Sequence, residues 1–163
     1  MRISIAALAI ATSFLLGSAA NANIVTNPGF ETGDFTGWTQ GGDTSFTGVD
    51  GNPHSGNFAA FFGPVDSIGT LSQTLTTTPG ELYNIDFWLE NDDTSGVNSF
   101  SVSFDGNVLD SMTGASAFGY TEFSFTALAS TSSTVRSAGT CSVRPERCKC
   151  SSKGFESTGG CAG

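Results

Sequence analysis

From Asn23 to Val135 the chain repeats a two-residue rhythm of apolar and polar positions. In Tyr83-Asn84-Ile85-Asp86-Phe87-Trp88-Leu89-Glu90 the odd positions are apolar, and the even ones are polar apart from Trp88. Successive side chains of a strand point to opposite faces, so this pattern predicts a half-buried strand with Tyr83, Ile85, Phe87 and Leu89 inward. Phe100, Val102 and Phe104 alternate with serines, and Phe123 and Phe125 alternate with Glu122, Ser124 and Thr126. Shorter strands are expected at Thr44 to Val49, Asn57 to Phe62 and Thr70 to Thr76. Turn-forming residues separate them at Asn27-Pro28-Gly29, Gly41-Gly42-Asp43, Asp50-Gly51-Asn52-Pro53, Pro79-Gly80 and Asp105-Gly106-Asn107. Asp-Gly between Phe104 and Val108 is the clearest hairpin signal. Many short strands, regular turns and almost no helix signal predict an all-β antiparallel sandwich of jelly-roll type.

The rhythm stops at Val135. Residues 136–163 hold all four cysteines and five of the six basic residues, with Val143 and Phe155 as their only sizeable hydrophobes. The segment is expected to be a disordered Cys-, Arg- and Ser-rich tail, which leaves the sandwich without its last strand. Cys141, Cys148, Cys150 and Cys161 lack the C-x2-C spacing of a zinc site. In an exported chain they allow two disulfides in any of three pairings.

The N-terminus has the layout of a signal peptide: Arg2, an apolar run from Ile3 to Leu16, then small residues ending in Ala20-Asn21-Ala22. Cleavage is expected after Ala22, so the chain is read as secreted or extracytoplasmic. The run is short for a membrane-spanning helix, which needs about 20 residues, and no second one follows. Charge sharpens the picture. Between Ile3 and Val135 there are thirteen Asp and Glu and no Lys or Arg. Such a body is repelled by phosphate, which disfavours nucleic acid and anionic membrane as partners. Neutral polymers and divalent cations stay open, as does the plain reading that acidity serves solubility.

The stretch Asn27-Pro28-Gly29-Phe30-Glu31-Thr32-Gly33-Asp34-Phe35-Thr36-Gly37-Trp38 resembles the opening of galactose-binding-like jelly rolls, the carbohydrate-binding modules of families 4, 9 and 22. Gly51 to Asn57, Leu71-Ser72-Gln73-Thr74-Leu75 before Pro79-Gly80, and Tyr83 to Leu89 fit the same pattern. The chain is most similar to exported bacterial proteins that end in a PEP-CTERM sorting signal. The resemblance covers about Asn23 to Val135 and implies a jelly roll that binds carbohydrate or an extracellular matrix polymer. It implies the fold more firmly than the role, because this fold hosts many binding functions. The chain departs from the pattern at its end. The group's final strand, with its Leu-Asp-Asp or Leu-Asp-Asn motif, and the Pro-Glu-Pro sorting segment do not occur. A shift of reading frame near Val135 would produce such a change; a genuine tail is the alternative.

Several residues could carry chemistry. Trp38 and Phe30 are expected in the core, as the resemblance implies and as is usual for large aromatics. Trp88 shares the polar face of its strand with Asn84, Asp86 and Glu90. An indole beside carboxylates and amides suits a sugar ring, whose CH-rich face stacks while its hydroxyls are hydrogen-bonded. The opposing reading is a Trp covered by a loop or a neighbouring strand. Gln73 and Tyr120 are weaker companions of this site. The resemblance implies that Glu31 could join a structural Ca2+ with backbone carbonyls and a late Asp. Calcium takes about 6–8 oxygen ligands, however, and a solvated turn carboxylate is the simpler reading. Glu90-Asn91-Asp92-Asp93 lacks the spacing of an EF-hand loop. His54, the only histidine, offers no triad, and nothing singles out two carboxylates as a glycosidase pair. The expected role is therefore binding rather than catalysis. A structural or adhesive surface protein is the alternative, and a glycan-cleaving enzyme a distant third.

Overall fold

The structure is a computed structural model that describes residues 23–64, 67–130, 135–141 and 148–151, the last two segments as backbone only. The expected signal peptide, Met1 to Ala22, lies outside the described residues. The described residues form ten strands: β1 Thr39–Gly42, β2 Thr47–Asp50, β3 Ala59–Phe62, β4 Gly69–Gln73, β5 Leu82–Asn91, β6 Asn98–Phe104, β7 Asn107–Thr113, β8 Phe118–Leu128, β9 Val135–Cys141 and β10 Cys148–Ser151. There is no helix among these residues, and therefore none long and apolar enough to cross a membrane. The strands form two five-stranded sheets in the orders β1-β4-β9-β6-β7 and β2-β3-β10-β5-β8. Every pairing is antiparallel, giving the expected β-sandwich.

The two-residue rhythm translates directly into burial. Along β5, Tyr83, Ile85, Phe87 and Leu89 are buried, while Asn84, Asp86, Trp88 and Glu90 are half-buried on the other face. Along β6, Phe100, Val102 and Phe104 are buried and face them across the sandwich. Phe87 lies 5.9 Å from Phe100 and stacks on Phe123 of β8 at 5.4 Å. These side chains, with Phe62 and Leu71, make one continuous core. The β6–β7 hairpin turns at Asp105-Gly106, whose φ angles of +50° and +80° match a type I′ turn.

The end of the chain corrects one expectation. The tail was expected to be irregular and the last strand missing, yet β9 begins at Val135 and lies between β4 and β6. β10 lies between β3 and β5. Each is the central strand of its sheet. A slot between two strands offers rows of backbone donors and acceptors, and any segment without proline can satisfy them. Val135 to Cys141 and Cys148 to Ser151 contain no proline; Pro145 falls between them. The register sets Ser137 between Leu71 and Val102, and Gly139 between Gly69 and Phe100. These core-side register positions are small or polar, so the segment shows no apolar alternation although it pairs as a strand.

Candidate functional site

The second sheet turns one face to the core and the other outward. On β5 the outward residues are Asn84, Asp86, Trp88 and Glu90. The antiparallel register sets Trp88 opposite Glu122 and Asp86 opposite Ser124 of β8, so these residues share that face. Thr126 donates a hydrogen bond to the Asn84 side chain at 3.0 Å. On the other side of β5, the register sets Lys149 of β10 opposite Glu90 and Ser151 opposite Trp88.

A loop from β2 to β3 lies over this face. Its His54 imidazole stacks on the Trp88 indole, with ring centroids 3.6 Å apart and planes 7° from parallel. Tyr120 meets the imidazole edge-on at 5.5 Å, and its hydroxyl donates to the Asn52 carbonyl at 2.7 Å. The loop is fastened at its far end by Glu31. That carboxylate accepts from the Asn57 backbone N–H at 2.9 Å, the Asn57 side-chain amide at 2.9 Å and the Phe58 N–H at 3.4 Å. These amide donors, Asn57 foremost, hold the Glu31 carboxyl below its usual range. Gly56 has φ +84°, and a Cβ there would stand 2.2 Å from Glu31 Oε1. The left-handed φ at this position favours glycine.

Glu31 is itself held by a rigid turn. Asn27 (φ +50°) donates to Thr32 Oγ1 at 2.7 Å and to the Asp34 carbonyl at 3.0 Å. Phe30 is buried 5.5 Å from Trp38, and the Trp38 indole N–H donates to the Asn27 carbonyl at 3.1 Å. Both aromatics therefore belong to the core, as expected.

The structure brings four of the sequence-designated residues, Trp88, Asp86, Glu90 and Tyr120, to one face. It does not bring Gln73 there. Gln73 is the last residue of β4, in the opposite sheet, and its buried amide accepts from Thr26 N–H at 2.7 Å and donates to the Thr26 carbonyl at 2.9 Å. This pins the N-terminal segment to the sheet beneath an open cleft of about 570 Å3, which is lined by Thr26, Thr39, Gln73, Thr74 and Thr76 among others. Glu31, the residue expected at a calcium site, anchors the loop between β2 and β3 through its carboxylate. Its oxygens already receive three N–H donors, and no group of three His, Cys, Asp or Glu exists among the described residues. The acidic loop after β5 is a structural knot. Asp93 accepts from Asn98 at 3.1 Å and from the Ser95 N–H at 2.7 Å, while Asn91 and Asn98 bind the Ala115 carbonyl.

His54 is the site residue that pattern reasoning passed over. Its only sequence signal was a turn, Pro53-His54-Ser55, and a turn does not say which surface it covers.

No protein-family model and no curated protein sequence matches the chain. Among solved structures, the chain is similar to TmCBM61, a structure determined in complex with β-1,4-galactotriose. The TM-score is 0.62 at 23% identity, over 82% of this chain and 97% of that one. It is also similar to the enzymatically active domain of bacteriophage CBA120 tailspike protein 4. There the TM-score is 0.55 at 14% identity, over 79% of this chain but only 20% of that one. At these identities the likeness is one of fold: the chain shares an antiparallel jelly-roll sandwich with these structures.

Proposed function

We propose that this chain is an exported, non-catalytic module that binds a neutral carbohydrate polymer through the outer face of its second sheet, around Trp88. The observation that carries the reading is that Trp88 and Tyr120 share with Asp86, Glu90 and Glu122 a face the core does not use, the rings linked there through His54 of the overlying loop. Flat rings flanked by hydroxyl-accepting carboxylates are the chemistry a saccharide needs. The acidity of the face disfavours anionic glycans and suits neutral ones. The fold shared with TmCBM61 supports the same reading, and the galactotriose bound there names the first probe. A tailspike domain with a related fold keeps glycan cleavage as the competing activity, but no carboxylate pair in this chain stands out as acid and nucleophile.

The test is titration of the full chain, cleaved or not, with β-1,4-galactotriose and a panel of neutral glycans, with Trp88→Ala alongside. Binding lost in Trp88→Ala, with melting nearly unchanged, supports this face. Binding retained in Trp88→Ala but lost on crowding the cleft, with Thr39→Trp, moves the site to the opposite sheet. Failure to bind any glycan favours a structural or adhesive surface role. Release of reducing sugar from the same glycans would mark an enzyme. Export is tested separately: the mature protein should begin at Asn23.

A further inference from the structure

We infer that the loop between β2 and β3 is a displaceable cap, in which His54 occupies the stacking position on Trp88 that a saccharide ring would take. This rests on the reading of the Trp88 face as the carbohydrate surface, and it concerns how that surface is regulated.

The argument is geometric. An imidazole 3.6 Å from an indole and 7° from parallel lies where the flat CH face of a pyranose would lie. The same indole face cannot hold both rings. The loop is built to carry the imidazole there. Glu31 clamps its C-terminal end at Asn57 and Phe58, and the Tyr120 hydroxyl holds Asn52. Between these two points the chain forms no strand. Gly51 stands at the start of the stretch, a residue whose backbone is the most permissive of all to a change of dihedral angles. The Glu31 end is the more firmly held, by three N–H donors to one carboxylate. Opening therefore breaks the Tyr120–Asn52 hydrogen bond and rotates the 51–56 stretch about the Glu31 anchor. A ligand that binds only the uncapped state has its affinity lowered by the fraction of molecules that are capped.

The experiment uses the full chain, with His54→Ala and His54→Phe variants. Trp38 is buried in the core, so changes in acrylamide quenching of tryptophan fluorescence report Trp88. His54→Ala is expected to make the fluorescence more quenchable with no ligand present. It is also expected to tighten β-1,4-galactotriose binding by about two- to tenfold, the span of one aromatic stack. His54→Phe keeps a ring on the indole and should behave like the parent chain in both measurements. If His54→Ala leaves quenching unchanged, or weakens saccharide binding, the cap is refuted and His54 is part of the platform instead. If quenching rises but neither chain binds galactotriose or any neutral glycan, it is the saccharide reading that fails. Melting curves of both variants separate these outcomes from misfolding.

Discussion

The two tryptophans have opposite fates under the same chemistry. Trp38 lies against Phe30, with its indole N–H given to the Asn27 carbonyl, and is closed over by the core. Trp88 stands on the outer face of β5 among carboxylates, and what covers it is a loop carrying one histidine. Both meet another ring, tilted at 37° for Trp38 and stacked for Trp88, but only the first is closed in by the core. A ring closed in by strands and aromatic neighbours can be uncovered only by unfolding, whereas a ring covered by a loop can be uncovered by moving that loop. The difference separates a structural residue from a binding one more sharply than residue type or fractional exposure does.

The largest effect that tests this contrast is on stability. Trp38→Ala should destabilise the fold by about 3–5 kcal/mol, the cost of emptying a large aromatic site in a core. Trp88→Ala should cost about 1 kcal/mol, because only one stack is lost. Parallel urea melts of the two variants decide it, and equal losses would mean that Trp88 is core after all. Next in size is Gly56→Ala, which forces a side chain into a left-handed backbone conformation and onto Glu31. A loss of about 1–2 kcal/mol is expected, together with release of the loop and greater quenching of Trp88.

Acid should loosen the same anchors. The carboxyls of Glu31, Asp34 and Asp43 are held below their usual range by hydrogen bonds from Asn57, from Thr32 and Thr36, and from Ser67 and Ser45 respectively. Asp93 is also lowered. Its burial opposes the shift, but bonds from Ser95 and Asn98 outweigh it. A carboxyl depressed in the folded state binds protons more readily when unfolded. Its contribution is therefore complete above the unfolded pKa of about 4 and is lost as pH falls through the lowered value. The melting temperature should be flat near neutrality and decline below about pH 4, and Glu31→Gln should flatten part of that decline. The smallest effect expected is that of calcium. A metal stabilises only through a site it binds in the folded state, and the Glu31 carboxylate is already taken by N–H donors of Asn57 and Phe58. Millimolar Ca2+ should leave the melting temperature essentially unmoved, and a clear rise would show a site that the described residues do not reveal.

The alternation of β5, β6 and β8 was readable in the chain because a strand with one buried face must carry apolar residues at every second position. The same logic assigned Trp88 to the outward face, whereas Trp38 was expected in the core from the resemblance and from the usual burial of large aromatics. The alternation logic failed at the end of the chain. Ser137 and Gly139 carry no apolar signal, yet the neighbouring strands supply backbone partners on both sides, and pairing through the backbone is nearly blind to side chains. Gln73, expected only as a weak companion of Trp88, lies in the other sheet, because period two tells which face a residue takes within its strand and not which of two sheets that strand joins.

Taken alone, the sequence determined a β-sandwich, the two faces of its longest apolar strands and the turns at Asp105-Gly106 and Pro79-Gly80, all properties of neighbours along the chain. Tertiary structure alone decided that β9 and β10 close the two sheets, that Gln73 ties down the N-terminal segment, and that His54 lies on Trp88. Each of these joins residues far apart in sequence. The placement of such partners depends on the path of the loops and the order of the strands, and neither leaves a local periodic trace.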